Sequence, residues 1–358
     1  MQIDDFLKKM VECGGSDAHV KVGMPPGVRI SGVIHPQGTQ PLSSEQTRAI
    51  ARTLLDDEQW AVFEERGDLD CSYSIAGVAR FRVNVLRQRG SISLVLRYIP
   101  AKIPTIEELG LPEICRTFAS KPRGVVLVTG PTGSGKSTTL AAMIDHINST
   151  ERGHILTMED PIEFLHRDKK CYINQREVGS DTTDFNEALR RALRQDPDVI
   201  LIGELRDLET IALAVTAAET GHLVLGTLHT TSAVKTIDRV VNVFPPEQQT
   251  QIRLQLAGTL QGIISQMLLP RIGGGRVAAF EILTATDAVR ALIRENKMAQ
   301  LPSTMQTGKQ FGMQTLEDHL NVLVGEKKIT YEEACQKANA PAAIKEPAGV
   351  RRPVAASA

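Results

Sequence analysis

Two hydrophobic periods succeed each other along the chain. Ile3, Phe6, Leu7, Met10 and Val11 recur at helical spacing and predict an opening helix, which Gly14-Gly15-Ser16-Asp17 breaks. His19–Val22 and Val28–Ile30 predict strands on either side of a Pro25-Pro26-Gly27 turn. Ser43-Ser44-Glu45 predicts the cap of a helix running to about Glu65. Leu69–Ile75, Ala79–Leu86 and Ser91–Leu96 alternate apolar with polar, as half-exposed strands do. Residues 1–98 thus read as a small α+β domain. Residues 99–111, with Pro100 and Pro104 inside and Pro112 next, read as a semi-rigid linker.

From residue 112 the period changes. Short apolar runs at Val125–Thr129, His154–Met158, Val199–Ile202 and Leu223–Thr227 alternate with helical patterns near Lys136–Asn148, Asp184–Arg194 and Leu208–Glu219. That alternation predicts a mainly parallel sheet with helices on both faces. Thr286 to Ala338 reads as mostly helical, so this second domain is expected to run over 112–338. Residues 339–358 are rich in Ala and Pro, with few large apolar side chains, and are expected to form a disordered tail. The fold class is α/β.

The chemistry concentrates at one stretch. Gly130-Pro131-Thr132-Gly133-Ser134-Gly135-Lys136-Ser137 fits G-x-x-x-x-G-K-[ST] and lies between a predicted strand and a predicted helix. Glycines let backbone N–H groups approach phosphate oxygens closely, and a helix N-terminus adds partial positive charge there. Lys136 can reach the β- and γ-phosphates, and the Ser137 hydroxyl can ligate Mg²⁺. Gly130 to Thr138 is therefore the expected ATP-binding segment.

Other groups are less specific. Val199–Ile202 runs into Gly203-Glu204, and a carboxylate at a strand end beside a P-loop can hold Mg²⁺ through water or polarise an attacking water. Glu159-Asp160-Pro161-Ile162-Glu163 puts three carboxylates after another apolar strand; either one of them activates water or the segment is an acidic surface turn. His222 and His229 lie on either side of the predicted strand Leu223–Thr227, as core histidines or as a sensor of the γ-phosphate. Arg80, Arg82, Arg87, Arg89 and Arg97 lie on or beside two strands, and spacing leaves a solvated face and a phosphate-directed set both open.

Composition removes some classes. A formal charge of −1 gives no support to a nucleic-acid motor, and no apolar stretch approaches the roughly 20 residues of a spanning helix. The acidic start does not resemble a signal peptide. The five scattered cysteines form no C-x-x-C pair, which argues for reduced, mostly buried thiols and against a structural zinc site.

Taken together, these residues resemble the PilT-type ATPases, the type IV pilus retraction (twitching motility) motors of the secretion-ATPase superfamily. The resemblance runs from about Ser16 to about Ala338. Gly130–Ser137 resembles the Walker A loop, Ile155–Glu163 the Asp box, Ile202–Asp207 the Walker B segment and Gly221–Thr231 the His box; Lys121-Pro122-Arg123-Gly124 matches as well. The resemblance implies a PAS-like N-terminal domain, a RecA-like P-loop domain with a helical C-terminal part, and a homohexameric ring with ATP between domains near a subunit interface. It implies Glu163 as general base, Glu204 as organiser of Mg²⁺ and its water, Arg82 and Arg97 as arginines offered to ATP, and His222 and His229 as couplers of nucleotide state to domain position. It also implies an inner-membrane pilus platform protein as partner, at the cytoplasmic face of that membrane. Ala288–Glu295 resembles the retraction-linked helix motif AIRNLIRE, departing at Val289 and Ala291. The departures leave open an accessory retraction paralogue, and a nucleotide-gated adaptor with little turnover is the alternative from another class.

Overall fold

A computed structural model describes residues 2–100 and 102–346. The chain divides into two compact units, one of residues 1–103 with Glu163–His166, the other of Pro104–Ile162 and residues 167–358.

The first unit holds α1 (Ile3–Glu12), β1 (Asp17–Val20), β2 (Gly27–Ile30), β3 (Val33–Pro36), α2 (Ser44–Leu54), α3 (Asp57–Arg66), β4 (Asp68–Ile75), β5 (Ala79–Gln88) and β6 (Ser91–Ile99). Its antiparallel sheet has the order β3-β2-β1-β6-β5-β4. The single helix expected up to Glu65 is two. Asp56 accepts from the Gln59 N–H while the Gln59 side chain accepts from Asp56, and this second capping box starts a new helix. Strand alternation decides the core. Phe81, Val83 and Val85 of β5 and Leu94 and Leu96 of β6 are buried against Ile3, Leu7 and Met10 of α1, Ile50 and Leu54 of α2, and Phe63 of α3. The alternate residues Arg82 and Arg97 stay exposed.

The second unit holds α4 (Ile114–Ala119), β7 (Gly124–Thr129), α5 (Lys136–Thr150), β8 (His154–Glu159), β9 (Tyr172–Glu177), α6 (Phe185–Ala192), β10 (Val199–Ile202), α7 (Leu208–Glu219), β11 (Leu223–Leu228), α8 (Ala233–Asn242), α9 (Pro246–Thr259), β12 (Leu260–Pro270), β13 (Arg276–Thr284), α10 (Asp287–Arg294), α11 (Leu301–Thr307), α12 (Leu316–Gly325) and α13 (Tyr331–Lys337). Its sheet has the order β13-β12-β7-β11-β10-β8-β9 and is parallel except for β12 with β13. Val125 and Leu127 face one apolar layer with α7 and α9; Val126 and Val128 face the other with α5. Both faces are covered, which is why these strands read as unbroken apolar runs.

β9, β12 and β13 go beyond the predicted strands. Met267 and Leu269 of β12 and Ala279 of β13 pack with Leu316 and Leu320 of α12. Arg290 of α10 donates to the carbonyls of Ala257 (2.6 Å) and Gly258 (2.9 Å), closing the C-terminal end of α9, while Val289 and Ile293 are buried. Ile344 is buried with α12 and α13, and Asn321 bonds both Ala343 and Lys345, so 339–346 is held against those helices. The rest of the expected disordered tail, 347–358, lies outside the described residues.

His319 of α12 gives the second unit a pH dependence. Its Nδ1 accepts from the Phe280 N–H at 2.9 Å and its ring stacks on Phe280, which requires a neutral imidazole. Burial holds its pKa below the ordinary value, with Glu326 opposing and Lys328 adding. The unfolded chain therefore takes the proton first as pH falls through about 6.5, and stability drops below that pH until the folded-state pKa is passed. Urea unfolding between pH 7.5 and 5.5 should show this slope, and His319→Gln, which keeps an acceptor without the titration, should flatten it.

Candidate nucleotide site

The glycine stretch is a loop from the end of β7 to the start of α5. Helix α5 opens on Gly135, at φ 91°, with no side chain capping it. Its first N–H groups are thus left for an anion. Gly130 lies so close to β12 that a Cβ there would be 2.1 Å from the Gln266 carbonyl oxygen. Ser134 Oγ is buried and makes no hydrogen bond among the described residues. Lys136 is buried, with Nζ donating to the carbonyls of Gly130 (2.9 Å) and Pro131 (3.2 Å). An uncapped helix start, an orphan hydroxyl and an ammonium resting on loop carbonyls fit a phosphate group.

The parallel sheet places further groups on the same edge. β11 pairs with β7 from Leu223↔Gly124 to Leu228↔Thr129, so His229 emerges beside the loop. β10 pairs on the far side of β11, which puts Glu204 two strands from β7, about 10 Å away at ordinary strand spacing. β8 comes next, and Glu159 and Asp160 leave its end. Glu204 is held at both oxygens, by Arg206 at 2.7 Å and by His229 Nε2 at 3.1 Å. Burial alone would raise its pKa, but Arg206 and then His229 bring the net value below the ordinary carboxylate range. Glu204 is therefore an anion at neutral pH. Glu159 is held differently, by the Thr157 hydroxyl and the Gln175 amide.

Three of the expected residues belong to the first unit, and one of the second unit lies away from this edge. Glu163 is an exposed loop residue in the Glu163–His166 segment of the first unit, and the loop before it is anchored where the Ile162 N–H meets Glu177 at 3.1 Å. His222 lies at the opposite end of β11, roughly 20 Å from His229 along six extended residues. Its Nδ1 lies 2.8 Å from the Ala217 carbonyl oxygen. Arg82 and Arg97, in the first unit, are direct cross-strand partners. Arg82 lies 3.8 Å from Asp70, and Arg97 Nε bonds Asp17 at 2.8 Å.

Three features escaped the sequence reading. Arg206 fixes Glu204. Gln266 touches the loop. A hydroxyl chain joins Ser265 to Thr129 (2.8 Å), Thr129 to Thr236 (3.5 Å) and Thr236 to Thr230 (2.7 Å), tying the end of β7 to the segment after His229. Scattered threonines carry no spacing signal that would have found it.

The family model for type II/IV secretion system proteins matches residues 3–336. The chain belongs to this family. The type IV pilus retraction ATPase PilT of Pseudomonas aeruginosa is 54% identical over 341 residues, covering 95% of this chain and 99% of that protein. The type IV pilus ATPase PilU of the same organism is 42% identical, covering 95% of this chain and 89% of its own. The crystal structure of the pilus retraction motor PilT with bound ADP matches with a TM-score of 0.90 at 48% identity, over 96% of this chain and 98% of that one. The resemblance to PilT-type ATPases drawn from the motifs is thereby borne out, as is the α/β class with its parallel sheet. This member of the family is an ATPase.

Arg206 yields a prediction. Arg206→Leu removes the main group that lowers the Glu204 pKa, so that pKa rises. If turnover needs the ionised carboxylate, the acid limb of the pH–kcat profile should move to higher pH in the variant. An unmoved limb would mean that Glu204 ionisation does not govern the rate.

Proposed function

We propose that the chain is a type IV pilus retraction motor that hydrolyses ATP as a homohexameric ring. The observation that carries this is the Glu204–His229 contact on the edge where the glycine loop ends. It ties a carboxylate able to organise water to a histidine one strand from the phosphates. The 54% identity to PilT against 42% to PilU supports a primary rather than an accessory motor.

In this reading Lys136 leaves the Gly130 and Pro131 carbonyls for the β- and γ-phosphates of ATP. The Ser137 hydroxyl and, through water, Glu204 would hold Mg²⁺, which when bound neutralises charge on the phosphoryl oxygens. Both are hard oxygen donors, as that ion prefers. Glu204, kept ionised by Arg206 and His229, orders the attacking water, and Glu163 is proposed as the general base that takes its proton. His229 has one Nε2; when it turns to a γ-phosphate it releases Glu204, so the nucleotide state is written into the carboxylate's freedom. His222, at the far end of β11, anchors the start of the strand that transmits this. Arg82 and Arg97 are proposed to meet the phosphates in the assembled ring. Their side-by-side charges gain from a shared anion. A platform protein at the cytoplasmic face of the inner membrane is the proposed recipient of the motion.

The test uses purified chain and a deletion strain. Lys136→Ala should lose nucleotide binding and turnover. Glu204→Gln should keep binding and lose most of its turnover. Cells lacking the chain should assemble pili and fail to retract them. Turnover in Glu204→Gln equal to the parent overturns the catalytic assignment. Pili that still retract overturn the motor, and tight ATP binding with negligible turnover of the parent would favour the adaptor.

A further inference from the structure

Gln266 of β12 is buried at 4% exposure and meets the glycine loop with both ends of its amide. Nε2 donates to the Ser134 carbonyl at 2.7 Å, and Oε1 accepts from the Thr139 hydroxyl at 2.9 Å. Chemistry fixes the amide's orientation, because a carbonyl can only accept and so must face the NH₂. Its main chain shapes the loop too. The Gln266 carbonyl occupies the space a Cβ on Gly130 would need, and a Cβ on Gly135 would lie 3.1 Å from Nε2. One residue of a neighbouring strand therefore bounds the loop at its start, its middle and its end.

In a trans peptide the C=O and the following N–H point in opposite directions. Holding the Ser134 carbonyl toward β12 turns the Gly135 N–H away from β12. We propose that Gln266 is a positioning residue: it fixes the 134–135 peptide so that the Gly135 N–H already faces the phosphate before nucleotide arrives. The inference deepens the nucleotide-site reading and rests on it. Without the clamp, the peptide samples the opposite orientation, which aims a carbonyl at an anion. Binding then has to select the competent fraction, and affinity falls by that fraction. The Ser134–Gly135 peptide lies outside the bonds that form or break, so the loss falls on affinity and not on kcat.

The experiment compares the full-length parent with Gln266→Leu, Gln266→Glu, Thr139→Val and Lys136→Ala. It measures the Kd of a fluorescent ADP analogue with magnesium, and KM and kcat for ATP, from pH 8 to pH 5.5. Gln266→Leu should raise Kd and KM about tenfold, the worth of one lost buried hydrogen bond, and leave kcat within about threefold. Gln266→Glu decides the mechanism. Its carboxylate cannot donate to a carbonyl, so it should bind as poorly as the Leu variant at pH 8. As pH falls its buried carboxyl protonates, the O–H donor returns and affinity recovers relative to the parent. Thr139→Val keeps the Ser134 bond and should weaken binding by no more than about threefold. Should Gln266→Leu fail to fold, the Glu pH series and Thr139→Val decide. Affinity of Gln266→Glu equal to the parent, or weakened equally at every pH, overturns the inference while Lys136→Ala loses binding as expected. Lys136→Ala binding like the parent sinks instead the nucleotide-site reading beneath it.

Discussion

A parallel sheet delivers every strand end, and the loop that leaves it, to one edge. That constraint organises the second unit. β7, β11, β10 and β8 are consecutive in the sheet and parallel, so the glycine loop, His229, Glu204 and Asp160 emerge in a row although up to 99 residues separate them in the chain. The helices that complete each crossover bury both faces and exclude water from the strands, leaving the edge as the place for polar chemistry. Ligands of open α/β sheets bind at such an edge for this geometric reason, and an antiparallel meander would have scattered the same residues to both ends.

Within the row, electrostatics decides what each group can do. Glu204 sits between a permanent cation and a histidine, both bonded to it, and their combined effect outweighs the burial that would protonate it. An anion so held is poorly suited to take a proton but well suited to orient water. Its two partners differ in what they can surrender. Arg206 keeps its charge at any physiological pH, with Asp160 among the groups that reinforce it. His229 faces Glu204 through a single nitrogen, Nε2, the same atom that the proposed γ-phosphate contact would use. The asymmetry makes His229 the exchangeable contact and Arg206 the fixed one. In the proposed cycle the histidine would report the nucleotide and the arginine would preserve the carboxylate for the next turnover.

The sequence made part of this visible and hid the rest for physical reasons. A glycine loop with Lys-Ser was legible because its function depends on residue type at fixed local spacing. β10 and β11 were legible because strands buried on both faces are apolar at nearly every position. β9 was not, since Tyr172-Ile173-Asn174-Gln175 is an edge strand with few apolar positions. β12 was not either: Gln261, Gly262, Ser265 and Gln266 interrupt its apolar run. Gly262 is there for packing, because a Cβ would lie 2.1 Å from the Phe118 ring. Ser265 and Gln266 are there for bonds to residues more than 130 positions away, which no window of sequence reveals. The break between α2 and α3 falls at the polar run Asp56-Asp57-Glu58-Gln59, where Asp56 and Gln59 cap reciprocally without a Gly or Pro to mark the boundary.

The arginines of the first unit pose a question of exchange. Arg97 bonds Asp17, a carboxylate 5% exposed, whose pKa burial would raise and Arg97 lowers on balance. Moving Arg97 to a phosphate would strand a buried charge, which is costly when nothing replaces the cation. Here something does. Arg29 lies 3.8 Å from the other Asp17 oxygen, and it is Asp17's partner across β2 as Arg97 is across β6. Asp17 can therefore release one guanidinium and keep another within reach. Arg82 has a similar alternative in Asp70, a loose contact of 3.8 Å between exposed side chains that costs little to give up. The opposed pair Arg82 and Arg97 is thus held in place by contacts weak or redundant enough to yield. That redundancy is compatible with the role proposed for the pair, in which it binds an anion and lets it go on every turnover.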